Sequence, residues 1–174
     1  MKVDHQVVIV GAGFGGMGAA IALQRAGVED YVILERADDL GGTWYVNHYP
    51  GLTVDIPSAT YSYSFEPNPH WSHVFARGHE LKAYCDKVAT KHDLRSHMRF
   101  NTTVTSARWD DDEGVWVVTL TDGSSLVTRQ LITATGFLSE PARPEIAGIE
   151  SFEGTIVHTR NGTTTSISPA APPP

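Results

Sequence analysis

Residues 6–16 read QVVIVGAGFGG, and this stretch decides the fold. Its first five residues are mostly β-branched and show no polar alternation, which is typical of a parallel strand covered on both faces. The glycines that follow satisfy G-x-G-x-x-G. In such a turn Gly11 makes the tight bend, Gly13 leaves room for a pyrophosphate, and Gly16 lets the next helix approach the strand. The stretch therefore predicts a dinucleotide-binding turn, with phosphates at a helix N-terminus.

The residues after this turn place it in a larger unit. A helix is predicted over roughly residues 15–25, Gly27 ends it, and residues 31–34 read YVIL, the pattern of a second buried strand. Glu35 ends that strand 22 residues after Gly13, near the spacing of ~20 at which an acid binds ribose hydroxyls. A lone glycine motif is weak, but here strand, glycines, helix, strand and acid follow in order. Because a carboxylate repels a 2′-phosphate, FAD or NAD is expected here rather than NADP.

The next stretch carries a family resemblance. Residues 36–44 read RADDLGGTW and residues 45–55 read YVNHYPGLTVD. They resemble the FAD-side pattern of flavin-dependent monooxygenases, and the likeness extends over residues 5–160. Residues 152–158 read FEGTIVH, which resembles the Phe-x-Gly-x-x-x-His-x-x-x-Trp fingerprint of Baeyer-Villiger monooxygenases. Position 162, where the fingerprint has Trp, is Gly.

The resemblance implies FAD as the cofactor, and NADPH and O2 as further reactants of the complete family. In that family the Gly-Gly-Thr-Trp loop runs along the flavin, and the acid equivalent to Asp55 lies by the isoalloxazine and the nicotinamide. Asp55 is therefore the expected catalytic candidate, with a turn or helix-capping role as the alternative. For Trp44 the alternative is simple loop packing. The expected cofactor-binding residues are Gly11, Gly13, Phe14, Gly15, Gly16, Glu35, Arg36, Gly42, Thr43, Trp44, Asp55, Tyr61, Val104, Ala134 and Gly136.

The second half of the chain predicts an inserted antiparallel meander. Strand-like runs cover residues 100–109, 115–120 and 125–128. The acidic run 110–113 between the first two is expected to be a solvated hairpin turn and not a calcium loop. Residues 130–136 predict a further buried strand that ends in Ala-Thr-Gly. By resemblance, the chain passes close to the FAD there.

The sequence supports neither a metal site at its paired histidines nor a nucleophilic role for its cysteine. His70 and His73 lie in a proline-broken loop without a nearby acid, so solvated histidines are expected, and no metal site is predicted. Cys85 lies at helical spacing from Leu81, within a helix predicted over residues 78–92. It is expected to be a thiol of the core and not a nucleophile.

Composition limits the partners. A formal charge of -7 and the absence of any five-residue run of Lys and Arg disfavour nucleic acid. The single cysteine excludes the two-cysteine redox centre of a disulfide reductase. The N-terminal residues lead into a strand-like run that is far too short for a signal peptide or a membrane span. We therefore expect a cytoplasmic protein without a membrane segment.

Together these patterns predict an α/β fold. It is a Rossmann-type FAD-binding domain, with a parallel sheet and an inserted antiparallel meander, and it is expected to be incomplete at the C-terminus. Residues 1–160 are expected to form this domain, and an NADPH domain is expected to be missing because only one glycine fingerprint is present. Residues 161–174, rich in Thr, Ser, Ala and Pro, are expected to be a disordered tail.

A one-base deletion is a hypothesis for the origin of this tail. If Asn161 is encoded AAT, its last base and the first two bases of the Gly162 codon spell TGG, a tryptophan codon. One restored base would then give the fingerprint its full spacing. Resequencing tests this, because an AAC codon for Asn161 contradicts it. A genuine short paralogue with an unrelated tail is the alternative.

The expected function is that of the FAD-binding portion of a Baeyer-Villiger monooxygenase, which uses NADPH and O2 to convert a ketone into an ester or lactone. His158 followed by Thr159 favours this branch over the N- and S-oxidising flavin monooxygenases, which usually have Ser after the His. An NAD dehydrogenase stays formally open. The rival from another class is a non-catalytic FAD-binding remnant or truncated gene product. In either case this chain alone is expected to be inactive.

Overall fold

In the described residues, the fold combines one mixed sheet with three α-helices and several short 3-10 turns. The computed structural model describes residues 1–142, 144–154 and 156–161. Its strands are β1 (His5–Val10), β2 (Tyr31–Leu34), β3 (Met98–Arg99), β4 (Val104–Asp110), β5 (Val115–Leu120) and β6 (Ser125–Thr133). Its α-helices are α1 (Phe14–Arg25), α2 (Thr43–Val46) and α3 (Gly78–Lys91). The 3-10 turns are Ser58–Thr60, Leu94–His97, Ile149–Ser151 and Thr159–Asn161. The predicted tail lies outside the described residues from position 162 onward.

The sheet has the strand order β3-β2-β1-β6-β5-β4. β1 pairs in parallel with β2 and with β6, and β2 pairs in parallel with β3. β4, β5 and β6 form an antiparallel meander. A β1-α1-β2 unit thus stands beside an inserted meander, which confirms the predicted fold class.

β6 joins the two halves of the sheet. Its first residues, from Ser125 to Thr128, pair with β5, and its last residues pair with β1. The prediction of two separate strands, with a buried one over residues 130–136, is therefore wrong. One strand runs through to Thr133, and its second half is half-buried or exposed. Among the described residues, that half has a strand neighbour only on the β1 side.

A second correction concerns the start of the meander. The strand predicted from residue 100 begins only at Val104, and an unpredicted edge strand forms at Met98–Arg99. Asn101 separates them, because its φ of 53° lies in the left-handed region and breaks an extended run. Its N–H donates to the carbonyl of Ala37, which ties this bend to the loop after β2.

Cover on both faces explains why the first two strands lack polar alternation. On one face, Ile9 and Ile33 pack in a core cluster with α1 and α3. On the other face, Val8 and Val32 pack against the meander, where Val118 is fully buried. A strand buried on both sides carries apolar residues at successive positions.

The described helices also bear on membrane association. α3, the longest of them, has 14 residues. None of the helices in the described part of the chain has the length and apolar character that a membrane crossing requires.

Cys85 is a thiol of the core, as predicted. It is fully buried, and this burial raises the pKa of its thiol to about 12. Because the thiolate is the reactive form, we expect the native chain to resist a thiol-specific disulfide reagent at pH 8 and the urea-unfolded chain to react completely. Absorbance of the released chromophore measures both rates, and rapid labelling of the native chain would contradict the prediction.

Ionisation of the same thiol makes the free energy of unfolding depend on pH. The pKa of the thiol in the folded chain lies above the ordinary value of 9.0. Below pH 9 its contribution to the free energy of unfolding is therefore constant. Above pH 9 the unfolded chain releases the proton first, and the free energy of unfolding should fall as pH rises toward 12. Urea titrations at pH 8 and pH 10 measure how the free energy of unfolding changes with pH. The change is compared between the wild-type chain and Cys85→Ala.

Candidate cofactor-binding site

A cleft of about 380 Å³ opens at the carboxyl ends of β1, β2 and β6. Open α/β sheets bind ligands at this end of their parallel strands. One wall is the glycine turn after β1, and another is the loop after β2 that contains the Gly-Gly pair. The segments before β4 and after β6 complete the enclosure.

The glycine turn brings three strand ends together. Gly11 N–H donates to the Leu34 carbonyl at 2.8 Å, and its φ of +105° is one that glycine tolerates. A β-carbon on Gly11 would lie 2.5 Å from the Ala134 oxygen. A β-carbon on Gly16 would lie only 1.8 Å from the Gly11 oxygen. Gly16 therefore lies beneath the turn, where it lets α1 approach, and not in the cleft lining.

The N-terminus of α1 faces the cleft. Gly13 is the N-cap of this 12-residue helix, and no side chain in the described part of the protein caps it. The first N–H groups of a helix lack intrahelical partners and carry partial positive charge. They are therefore available to an anion such as a phosphate in the cleft.

The Gly-Gly turn lies against the glycine turn after β1, and no side chain separates them at Gly13 and Gly42. Gly41 N–H donates to the Ala12 carbonyl at 3.0 Å. Gly42 adopts φ 55° and ψ -123°, a backbone conformation that steric clashes exclude for residues with a β-carbon. A β-carbon on Gly42 would lie 3.1 Å from the Cα of Gly13. The close approach of the two turns therefore depends on glycine at position 42, whereas a β-carbon on Gly13 would lie 3.6 Å from the Gly42 Cα, an ordinary contact.

Glu35 is fixed beside these turns. It is 7% exposed, and its Oε2 accepts the Ala12 N–H at 2.7 Å while Oε1 accepts the Ala37 N–H at 2.9 Å. Each carboxylate oxygen has more than one lone pair, so both retain capacity for a ligand hydroxyl. An acid at the end of this strand can accept ribose hydroxyls.

Aromatic side chains support the cleft from the side of α1. Trp44 Nε1–H donates to the Tyr61 hydroxyl at 3.0 Å, and the Phe14 ring meets Tyr61 edge to face at 5.4 Å. Tyr63 donates its hydroxyl to the Phe14 carbonyl. Burial raises the pKa of Tyr61, which keeps its hydroxyl protonated. These rings pack on one another, and Phe14, Trp44 and Tyr61 also line the cleft.

Two arginines lie at the rim, and one of them was not predicted. Arg36 Nη2 and Arg160 Nη1 each donate to the Ser139 carbonyl at 2.6 Å. Arg36 also pairs with the exposed Glu140, and this guanidinium lowers the pKa of that carboxyl. Arg160 follows closely after His158, whose Nδ1 accepts the Arg160 N–H at 3.2 Å. Its place in the fingerprint segment was the only sequence signal for it.

The structure brings most of the predicted residues together. All of them except Gly16 and Asp55 line the cleft. Asp55 is exposed in the loop after β2 and α2, outside the lining, and its charge acts on Tyr61. Further lining residues, not predicted from the sequence, are mostly neighbours of the predicted ones: Val10, Leu34, Gly41, Val46, Thr102, Thr103, Thr135, Leu138, Ser139 and Arg160.

His70, His73, Phe152 and His158 lie outside the cleft lining. His70 and His73 are exposed, as predicted. No group of three metal-ligating side chains occurs within residues 1–142, 144–154 and 156–161. In the fingerprint segment Phe152 is 62% exposed and His158 is half-buried.

Comparison with known proteins agrees with this geometry. Residues 8–166 match the family described as pyridine nucleotide-disulphide oxidoreductase. A Baeyer-Villiger monooxygenase of Streptomyces coelicolor is 42% identical over 153 residues, which cover 88% of this chain and 29% of that protein. The crystal structure of OTEMO in complex with FAD and NADP is 37% identical, with a TM-score of 0.83, and the match covers 95% of this chain and 32% of that one. Cyclohexanone monooxygenase from Rhodococcus sp. Phi1, bound to NADP+, is 33% identical with a TM-score of 0.82, over 97% of this chain and 32% of that one.

The chain therefore belongs to the pyridine nucleotide-disulphide oxidoreductase family. Within that family it corresponds to the N-terminal part of the Baeyer-Villiger flavin monooxygenases. It spans about 30% of the length of the relatives it matches.

Proposed function

We propose that this chain binds FAD in the cleft at the carboxyl ends of β1, β2 and β6. The observation that carries the proposal is the groove between the glycine turns, which ends at the uncapped N-terminus of α1. Glu35, fixed at the side of this groove, supports it further. The similar OTEMO structure contains FAD and NADP, which supports the same choice of cofactor.

Each wall of the cleft has a proposed role. The N–H groups at the start of α1 bind the pyrophosphate, and Glu35 accepts the ribose hydroxyls and disfavours a 2′-phosphate. Val104 contacts the adenine, and the loop with Gly42 and Trp44 runs along the flavin half of the cofactor. The family resemblance supports the last two roles.

We propose that, in a longer polypeptide, this unit serves NADPH- and O2-dependent conversion of a ketone into an ester or lactone. Bound FAD supplies the redox and oxygen chemistry of such a reaction, whereas residues of this unit orient the cofactor and exclude water from it. Asp55 is proposed to lie on the nicotinamide side of the flavin. His158 and Thr159 favour ketone oxidation over N- or S-oxidation, because the latter branch usually has Ser at the second position.

Titration of FAD with the purified chain tests the binding proposal. We expect saturable quenching of flavin fluorescence with one site per chain, and no competition by NADP+ at matched concentration, because Glu35 repels its 2′-phosphate. Equilibrium dialysis provides an independent dissociation constant. Absence of saturable FAD binding by a folded chain would refute the proposed function.

A matched pair of glycine variants makes this test specific. Gly42→Ala places a methyl group 3.1 Å from Gly13 and should weaken FAD binding by at least about tenfold. Gly123→Ala is the control, because Gly123 also has a positive φ but has nothing within 4 Å of the added carbon and lies in the β5-β6 turn. Equal loss of affinity in both variants would assign the effect to backbone strain and not to the cleft.

The rival proposal is a non-catalytic FAD-binding unit. The 174 residues contain one glycine fingerprint, which is proposed to hold FAD, and no second one for NADPH. We therefore expect no ketone-dependent NADPH oxidation by this chain under conditions where FAD is bound. Sustained turnover by the 174-residue product would overturn this.

A further inference from the structure

Four charged side chains form a closed cluster behind the Gly-Gly turn. Lys82 Nζ lies 2.8 Å from Asp39 Oδ2 and 2.6 Å from Asp86 Oδ1. Arg95 Nη1 lies 3.0 Å from Asp39 Oδ1, and its Nη2 lies 2.8 Å from Asp86 Oδ1. Each carboxylate thus pairs with both cations. This clamp, formed by Asp39, Lys82, Asp86 and Arg95, joins the loop after β2 to α3 and to the 3-10 turn that follows it.

Lys82 connects the clamp to the cofactor turn. Its Cδ lies 3.0 Å from the position of a β-carbon on Gly41, and its ammonium lies 5.6 Å from the centre of the Tyr45 ring. The side chains of Lys82 and Asp39 are 18% and 27% exposed, so their ion pair is less screened than a surface pair, whereas Asp86 is 40% exposed. Burial opposes its charge, but the hydrogen bonds that its ammonium donates to Asp39 and Asp86 outweigh this and raise the pKa of Lys82. The ammonium therefore stays charged at physiological pH.

A Gly-Gly turn benefits from such a support. Glycine has more backbone freedom than any other residue, and a turn that samples many conformations must be ordered when a ligand binds. That ordering lowers affinity, whereas a turn held in place beforehand avoids the loss. Besides the clamp, this turn is held by buried Leu40 and by the Gly41 N–H bond to Ala12.

We propose that Lys82 is a positioning residue for the cofactor, which holds the turn of Gly41 and Gly42 in place against Gly13 before the cofactor binds. Lys82 does not line the cleft, so it acts through Gly41. The inference rests on the proposed binding of FAD. It goes further because it assigns a ligand-binding effect to an ion pair outside the cleft.

Hydrogen exchange tests the positioning without any ligand. In the apo chain, the peptide that contains residues 40–46 should exchange faster in Lys82→Met than in the wild type. Lys87→Met is the control, because Lys87 is an exposed lysine on the same helix. It should exchange like the wild type, and Lys82→Arg should restore most of the protection. Unchanged exchange of this peptide in Lys82→Met would overturn the proposal even if the chain bound no FAD.

Ligand titration then separates positioning from general loosening. We expect Lys82→Met to raise the FAD dissociation constant about tenfold, while Lys87→Met leaves it unchanged. The affinity for AMP, which lacks the flavin half, should fall by less than about twofold, because neither Glu35 nor Val104 pairs with a member of the clamp. Equal loss for FAD and AMP, or no loss for FAD, would overturn the proposal. A wild-type chain that fails to bind FAD identifies failure of the proposed function instead.

A milder variant covers the case in which Lys82→Met does not fold. Asp86→Asn removes one charge but leaves Asp39 paired with Lys82 and Arg95. It should raise the FAD dissociation constant by an intermediate factor, about threefold. Circular dichroism at the assay temperature establishes that each variant is folded, and an unchanged dissociation constant in folded Asp86→Asn would contradict the proposal.

Discussion

Gly16→Ala is expected to destabilise the folded chain by about 3 kcal/mol, although alanine favours helices more than glycine does. The added carbon would lie 1.8 Å from the Gly11 oxygen, which belongs to backbone that cannot rotate away. Either α1 must move off β1 or the glycine turn must open. Urea unfolding of the apo chain, followed by circular dichroism, measures the loss.

The neighbouring glycine provides the control. A β-carbon on Gly15 would lie 3.5 Å from the Ala134 β-carbon, which is ordinary contact, and Gly15 occupies the same helix. Gly15→Ala should therefore change the free energy of unfolding by no more than about 1 kcal/mol, with helix propensity favouring alanine. Similar destabilisation by both variants would show that the approach of α1 to the turn does not depend on Gly16.

Glu35→Gln is expected to have the second large effect, on both stability and cofactor affinity. Both oxygens of the buried carboxylate accept backbone N–H groups, and a glutamine offers one oxygen and one NH2 group. One backbone donor then faces another donor, which costs about 2 kcal/mol of folding stability. Misorientation of the side chain and loss of its charge should also weaken FAD binding about tenfold, which corresponds to about 1.4 kcal/mol.

Glu29→Gln is the matched control, because it makes the same chemical change at an exposed position near the other end of β2. It should leave the unfolding midpoint and the FAD dissociation constant within error of the wild type. An FAD affinity unchanged in Glu35→Gln would remove this residue from the proposed ribose site. A chain destabilised without any change in affinity would restrict Glu35 to a structural role.

The elements of the βαβ start could be predicted from the sequence because their signals are local. A run of apolar residues, three spaced glycines and an acid at the next strand end lie within one short segment, and each has one consistent structural explanation. The helix predicted over residues 78–92 is likewise found at Gly78–Lys91, with Cys85 on its buried side. Family resemblance added the Gly-Gly-Thr-Trp loop, which the structure places on the cleft.

The predictions that failed concern pairing between distant segments. Nothing in residues 125–136 shows that one strand changes partner from β5 to β1 partway along, because hydrogen-bond partners are chosen by the sheet. The edge strand at Met98–Arg99 is too short to give a periodic signal. Arg160 could not be identified from its neighbours, since its contact with Ser139 joins segments that no motif links.

The sequence by itself determined the kind of turn, its glycines and the acid beside it, because backbone sterics and strand burial act on residues that are close along the chain. Only the tertiary structure decided that Gly13 faces Gly42 and that Lys82 of α3 pairs with Asp39 beside the Gly-Gly turn. It also placed Asp55 outside the cleft lining. These relations depend on how separate elements pack, and packing is settled by the whole core rather than by any one segment.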